Sequence, residues 1–188
     1  MQLTESVCGK VLGAVVATWW GMLLLRNIPT VLAQVVPGFL LIDALNLGIH
    51  EAGHMLFMPI GNLGGPHGVG RFMVSLGGSL LEWSVPAFCI GYFVWTRRFY
   101  AACFICLWLA TTFYDSAVYA ADARDLLLPL LGADHPGGHD WNYILHWLGS
   151  LYWDDHVGMF FEILADGCVF IAIVGTWVLT GWEIVQDH

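Results

Sequence analysis

Five apolar stretches dominate this chain, each close to the ~20 residues a helix needs to cross a ~30 Å hydrocarbon core. They cover about residues 7–25, 31–57, 72–95, 99–121 and 157–182. In lipid every backbone amide must find its partner inside the protein, so the expectation is an all-α polytopic membrane protein. Composition agrees. A mean hydropathy of +0.70, with 58% hydrophobic and 11% charged residues, lies well outside the soluble globular range. With 188 residues, most of them needed for spans, there is room for one integral membrane domain.

The connections are short. Arg26-Asn27 separates the first two stretches, residues 61–70 form a glycine-rich loop, and Thr96-Arg97-Arg98 predicts a tight turn. The N-terminus carries Glu5 and lacks a basic region before the first apolar run, so that run reads as a transmembrane helix and not a signal peptide. Residues 122–156 are the one sizeable polar segment. Within it, residues 140–152 space Trp141, Ile144, Leu145, Leu148 and Leu151 as a helix does, predicting a short interfacial helix in an aromatic belt. A net charge of −9 leaves no basic patch for phosphates, which excludes nucleic acid as a partner; the lipid bilayer is the expected one. Cys103 and Cys106 form a CxxC, but inside an apolar run this spacing reads as packing.

One motif stands out against this background: His50-Glu51-Ala52-Gly53-His54, at the end of the second stretch. In a helix, His50 and His54 lie one turn apart on one face and can share a metal ion. Glu51 projects beside them, placed to take a proton from a zinc-activated water. Ionisable groups at membrane depth are costly, so their presence points to function. Asp43, Asn46, His50 and His54 continue one polar stripe along the same helix. Alternating spans bring the end of the second stretch, the end of the fourth and the 122–156 segment to one side of the membrane. Asp115, Tyr119 and Asp122 share a face of the fourth. Basic residues do not choose a compartment: Lys10, Arg71 and Arg124 on the site's side balance Arg26, Arg97 and Arg98 on the other.

A catalytic zinc needs three protein ligands and one open position. Two histidines leave one to find. His139, Asp140, Asp115 and Asp122 are the candidates, and Asp140 is preferred, because it follows Gly137-Gly138 and opens a helical segment where a short acidic side chain both caps and reaches outward. His139 is an alternative ligand or an outer partner, and Asp115 or Asp122 would orient a histidine ring. His67, His135, His146 and His156 read as surface histidines. Glu82, Glu162 and Asp166, set in apolar sequence, require protonation or partners if buried.

These residues resemble the site-2-protease family of intramembrane zinc metalloproteases. The resemblance rests on His50-Glu51-Ala52-Gly53-His54 within an apolar helix, supported by Gly77-Gly78-Ser79-Leu80-Leu81 with Pro86, and covers roughly residues 40–145. It implies a Zn2+ cofactor, a third ligand at Asp140 (followed here by Trp141, where the family has glycine), and hydrolysis of peptide bonds within or beside a membrane. It further implies Glu51 as general base, a membrane-protein substrate, and a bacterial inner membrane as the setting. A non-catalytic membrane subunit or assembly factor, packed within a larger complex, would keep the same fold and metal site. A haem or metal-transport protein is a third reading, but histidines one turn apart cannot take opposite axial positions on one haem.

Overall fold

The computed structural model describes residues 5–25, 37–128 and 138–186, and among these the chain is all α-helical, with no strand. The helices are α1 (Glu5–Leu25), α2 (Pro37–Phe57), α3 (Val69–Trp95), α4 (Phe99–Ala121), α5 (Asp140–Trp147) and α6 (Asp154–Gln186), with single 3-10 turns at Met58–Ile60 and Leu151–Trp153. Arg26-Asn27, residues 31–36 of the expected second span, Pro129, His135 and Gly137 lie outside the described residues.

Among the described residues, four stretches are long and apolar enough to cross a membrane: Val7–Leu25, Val69–Trp95, Phe99–Ala121 and Leu151–Gln186. This is a membrane protein. The expected fifth span is not among the four. α2 has 21 residues, but Asp43, Asn46, His50, Glu51 and His54 interrupt its apolar sequence.

Helix ends follow local chemistry. After α3, Arg97 adopts a left-handed φ of 57°. Its N–H bonds Val94 O at 3.0 Å while Arg98 N–H bonds Phe93 O at 2.7 Å, closing the carbonyls that the helix leaves open. The same pattern ends α5. Gly149 takes φ 66°, its N–H bonds His146 O at 3.0 Å, and Ser150 N–H bonds Leu145 O at 2.8 Å. The expected interfacial helix therefore stops at Trp147, because the left-handed turn at Gly149 breaks it before the Leu151–Trp153 turn.

The described residues form two compact units. The first holds residues 5–25, 37–40, 85–111 and 164–186. Small side chains let its helices approach closely, as lipid-embedded helices require. Ala165, Val169, Ala172, Thr176 and Thr180 make a buried seam along α6, and Gly21 lies so close that a Cβ there would sit 2.9 Å from both Val169 and Ile173. Tyr100 donates to Lys10 O at 2.6 Å, Trp177 donates to Thr18 Oγ1 at 2.9 Å, and Lys10 pairs with Glu183. Cys106 is buried and donates to Ala102 O, a packing role; all five cysteines are unpaired.

The second unit holds residues 41–84, 112–128 and 138–163. Its core is aromatic. Trp83 meets Phe161 at 4.9 Å between ring centroids, Trp141 meets Phe161 at 5.3 Å, and Trp83 donates to Ser116 Oγ at 2.7 Å. α5 turns Trp141, Ile144 and Leu145 inward, and its far end is tied down by Trp147, which donates to His67 O at 3.0 Å and packs on Phe72. Arg124 bridges Asp154 and Asp155 at the start of α6, where carboxylates complement the helix N-terminus. All residues of the candidate site belong to this unit.

Candidate metal centre

Glycine spacing decides how α2 meets α3. A Cβ on Gly53 would sit 2.7 Å from the carbonyl carbon of Gly77 and 2.9 Å from Gly78 Cα, so the two backbones touch where no side chain intervenes. Val74, Gly78 and Glu82 follow at i, i+4 and i+8, one face of α3. That face supplies, in order, a carbonyl, a gap and a carboxylate. His54 Nδ1 bonds Val74 O at 2.7 Å, both imidazoles lie against Gly78, and His50 Nδ1 bonds Glu82 Oε2 at 3.0 Å.

These outer bonds set the inner chemistry. A carbonyl oxygen only accepts, so His54 carries its proton on Nδ1 and its Nε2 presents a lone pair. Nε2 of His54 faces Asp140 Oδ2 at 3.1 Å, and Nε2 of His50 faces the same oxygen at 3.3 Å. Lone pairs aimed at a carboxylate oxygen at this distance repel unless a cation lies among them. Protonating the rings supplies one answer, each imidazolium then donating to the carboxylate. A single metal ion is the other, and it satisfies all three atoms at once.

The geometry suits zinc. The ligand atoms of His50, His54 and Asp140 all lie within 4.8 Å of one another. In a tetrahedral site with bonds of ~2.0 Å, ligand atoms stand roughly 3.3 Å apart. The two histidine–Asp140 distances, 3.3 and 3.1 Å, match that edge. Three donors leave a fourth position for water or substrate, and a carboxylate or carbonyl behind each histidine is the usual outer arrangement of a metal-bound imidazole.

Asp140 arrives on α5. Its neighbour His139, and not Asp140 itself, caps that helix: His139 Nδ1 accepts from Asn142 N at 3.1 Å, while His139 Nε2 faces Asp122 Oδ2 at 3.3 Å. Both nitrogens of His139 are thus occupied, and its side chain is 2% exposed. Burial lowers its pKa, outweighing the pull of Asp122, so the ring is neutral and donates from Nε2. Relieved of capping, Asp140 projects toward the histidines. Burial pushes its carboxyl up, but the neighbouring His50 and His54 imidazoles outweigh that and hold it below the usual carboxylate range, so it is ionised.

The remaining candidates have other partners or lie exposed. Asp115 accepts from the buried Asn46 at 3.1 Å on the polar stripe of α2, and Asp122 grips His139 and the backbone amides of Leu127 and Leu128. Glu51 is exposed. His67, His146 and His156 are exposed, as are Glu162 and Asp166 on α6. Glu82 is the participant whose partner was not legible in the sequence. The signal that would have found it is its spacing from Gly78, one turn along the face that α2 must contact.

Gly78→Ala tests the close fit. Its Cβ would stand 2.5 Å from His50 Nε2 and 2.7 Å from His54 Cε1. Both rings are pinned by their Nδ1 bonds and cannot retreat without losing them. Zinc affinity should fall by at least the ~10–100-fold that loss of an outer partner costs, with helix content unchanged by circular dichroism. Parent-like affinity would show that the rings have room to shift.

No family model, curated protein or solved structure matches the chain.

Proposed function

We propose that this chain is an intramembrane zinc metalloprotease, similar in chemistry to the site-2-protease family, with α2 as a fifth span that carries the site. The observation that carries the reading is the convergence of His50 Nε2, His54 Nε2 and Asp140 Oδ2, with each imidazole's Nδ1 already tied to an acceptor on α3. The polar stripe Asp43, Asn46, His50 and His54 supports α2 as a span, since Asn46 is 2% exposed and bonded to Asp115 on α4. Polar groups in a membrane helix turn toward protein and away from lipid.

Zinc, when bound, supplies Lewis acidity, lowering the pKa of a water from ~15.7 toward ~7 and polarising a carbonyl. The protein does the rest. Glu51, next to His50 in the helix, accepts the proton of the attacking water and returns it to the leaving amine. Asp140 balances the charge of the site, and the Glu82 carboxylate behind His50 keeps that ring oriented and electron-rich. A substrate segment must be extended for its carbonyl to reach such a site, which favours membrane proteins with a helix-breaking sequence near the bilayer surface.

The test is metal removal and return. Detergent-purified protein should contain zinc, lose hydrolysis of a membrane-tethered peptide reporter on chelation, and regain it with added zinc. Zinc present but no hydrolysis across a panel of reporters would favour the non-catalytic subunit. Absence of zinc, with none taken up on addition, would overturn the metal site.

A further inference from the structure

Asp140 approaches the histidines from a helix of 8 residues, so its carboxylate needs a separate device to fix its direction. We propose that Tyr119 is that device, a positioning residue that grips the backbone and the carboxylate of the third ligand together. The inference rests on the metal-site reading above. Asp140 N–H donates to the Tyr119 hydroxyl at 3.0 Å, and the hydroxyl donates onward to Asp140 Oδ2 at 3.3 Å. That oxygen is the one facing both histidines. A ring running from N–H through O–H to Oδ2 closes in few side-chain rotamers, so the phenol restricts Asp140 to the orientation that points at the metal position.

The arrangement uses a need that every helix has. Asp140 is the first residue of α5, and the earliest amides of a helix have no acceptor within it. The Tyr119 hydroxyl fills that vacancy and, with its own proton, occupies a second lone pair of the ligating oxygen. Tyr119 is fixed in turn. Its ring packs on His139 at 4.3 Å between centroids, and His139 is held by Asp122 and Asn142 N. Tyr119 and Asp122 stand three residues apart on α4 and its end, so one face grips the successive residues Asp140 and His139. Through it, α4 sets the position of a ligand that it does not carry.

The experiment compares parent protein, Tyr119→Phe and Trp147→Phe, all purified in detergent. Zinc affinity is measured by competition with a chromophoric chelator, and ligand geometry by the visible absorption of the cobalt-substituted forms. Tyr119→Phe keeps the ring and its packing but lacks the hydroxyl. It should bind zinc ~10–100-fold more weakly, with altered cobalt bands and a parent-like circular dichroism spectrum. Trp147→Phe removes the bond to His67 O at the opposite end of α5 and should keep the parent's affinity and bands. Parent-like affinity and bands in Tyr119→Phe would overturn the proposal. So would an equal loss in Trp147→Phe, since the effect would then be a general loosening of α5. A parent that takes up neither zinc nor cobalt would overturn the metal site itself, and the role of Tyr119 with it.

Discussion

Glu51→Gln is expected to retain zinc at the parent's level while hydrolysis falls by ~100–10,000-fold, the usual worth of a positioned general base. The substitution preserves volume and hydrogen-bonding capacity, so it changes little except the ability to take a proton. Glu51 stands apart from the ligand set of His50, His54 and Asp140, so the metal has no direct stake in its charge. It is exposed, and it directly follows His50 in α2. The measurement is kcat on a membrane-tethered reporter together with elemental analysis of the same preparation. A variant that cleaves at the parent's rate would remove Glu51 from the mechanism, and loss of zinc alongside activity would mean the carboxylate is structural.

Asp140→Ala should strip the metal. Its Oδ2 is the atom on which both imidazoles converge, and no other carboxylate is grouped with them among the described residues. Two histidines alone leave half of a tetrahedral shell to water, so affinity should drop beyond the ~10–100-fold typical of losing an outer partner. His54→Ala should do the same. His139→Ala makes the informative contrast. Its nitrogens serve Asp122 and Asn142 N, so its removal should loosen α5 and weaken binding less than Asp140→Ala does. Zinc retained through gel filtration in the presence of a mild chelator ranks the variants. If His139→Ala lost more than Asp140→Ala, the third ligand would be assigned to the wrong neighbour.

Much of this is legible in the residue order alone. Helical runs of ~20 apolar residues leave few alternatives in lipid, and α1, α3, α4 and α6 lie within a few residues of their expected bounds. The pairing of His50 with His54 follows from 3.6 residues per turn and needs no tertiary knowledge. The first limit appears at α2. Its hydropathy alone does not separate a span from a buried polar helix, because the residues that carry the chemistry are those that lower it. The second appears at Asp140. Its distance along the chain from His50 says nothing about proximity, and its expected capping duty passed to His139.

What residue order determined here is whatever repeats along one helix: the spans, the histidine pair and the stripe from Asp43 to His54. Tertiary structure decided everything that joins helices. It set Glu82 behind His50, laid both rings against Gly78, and brought Asp140 under the grip of Tyr119. The physical reason is range. Helical periodicity is a local property of the backbone, whereas a metal shell is closed by side chains dozens of residues apart, and their meeting depends on how closely glycines such as Gly53 and Gly77 let two backbones approach.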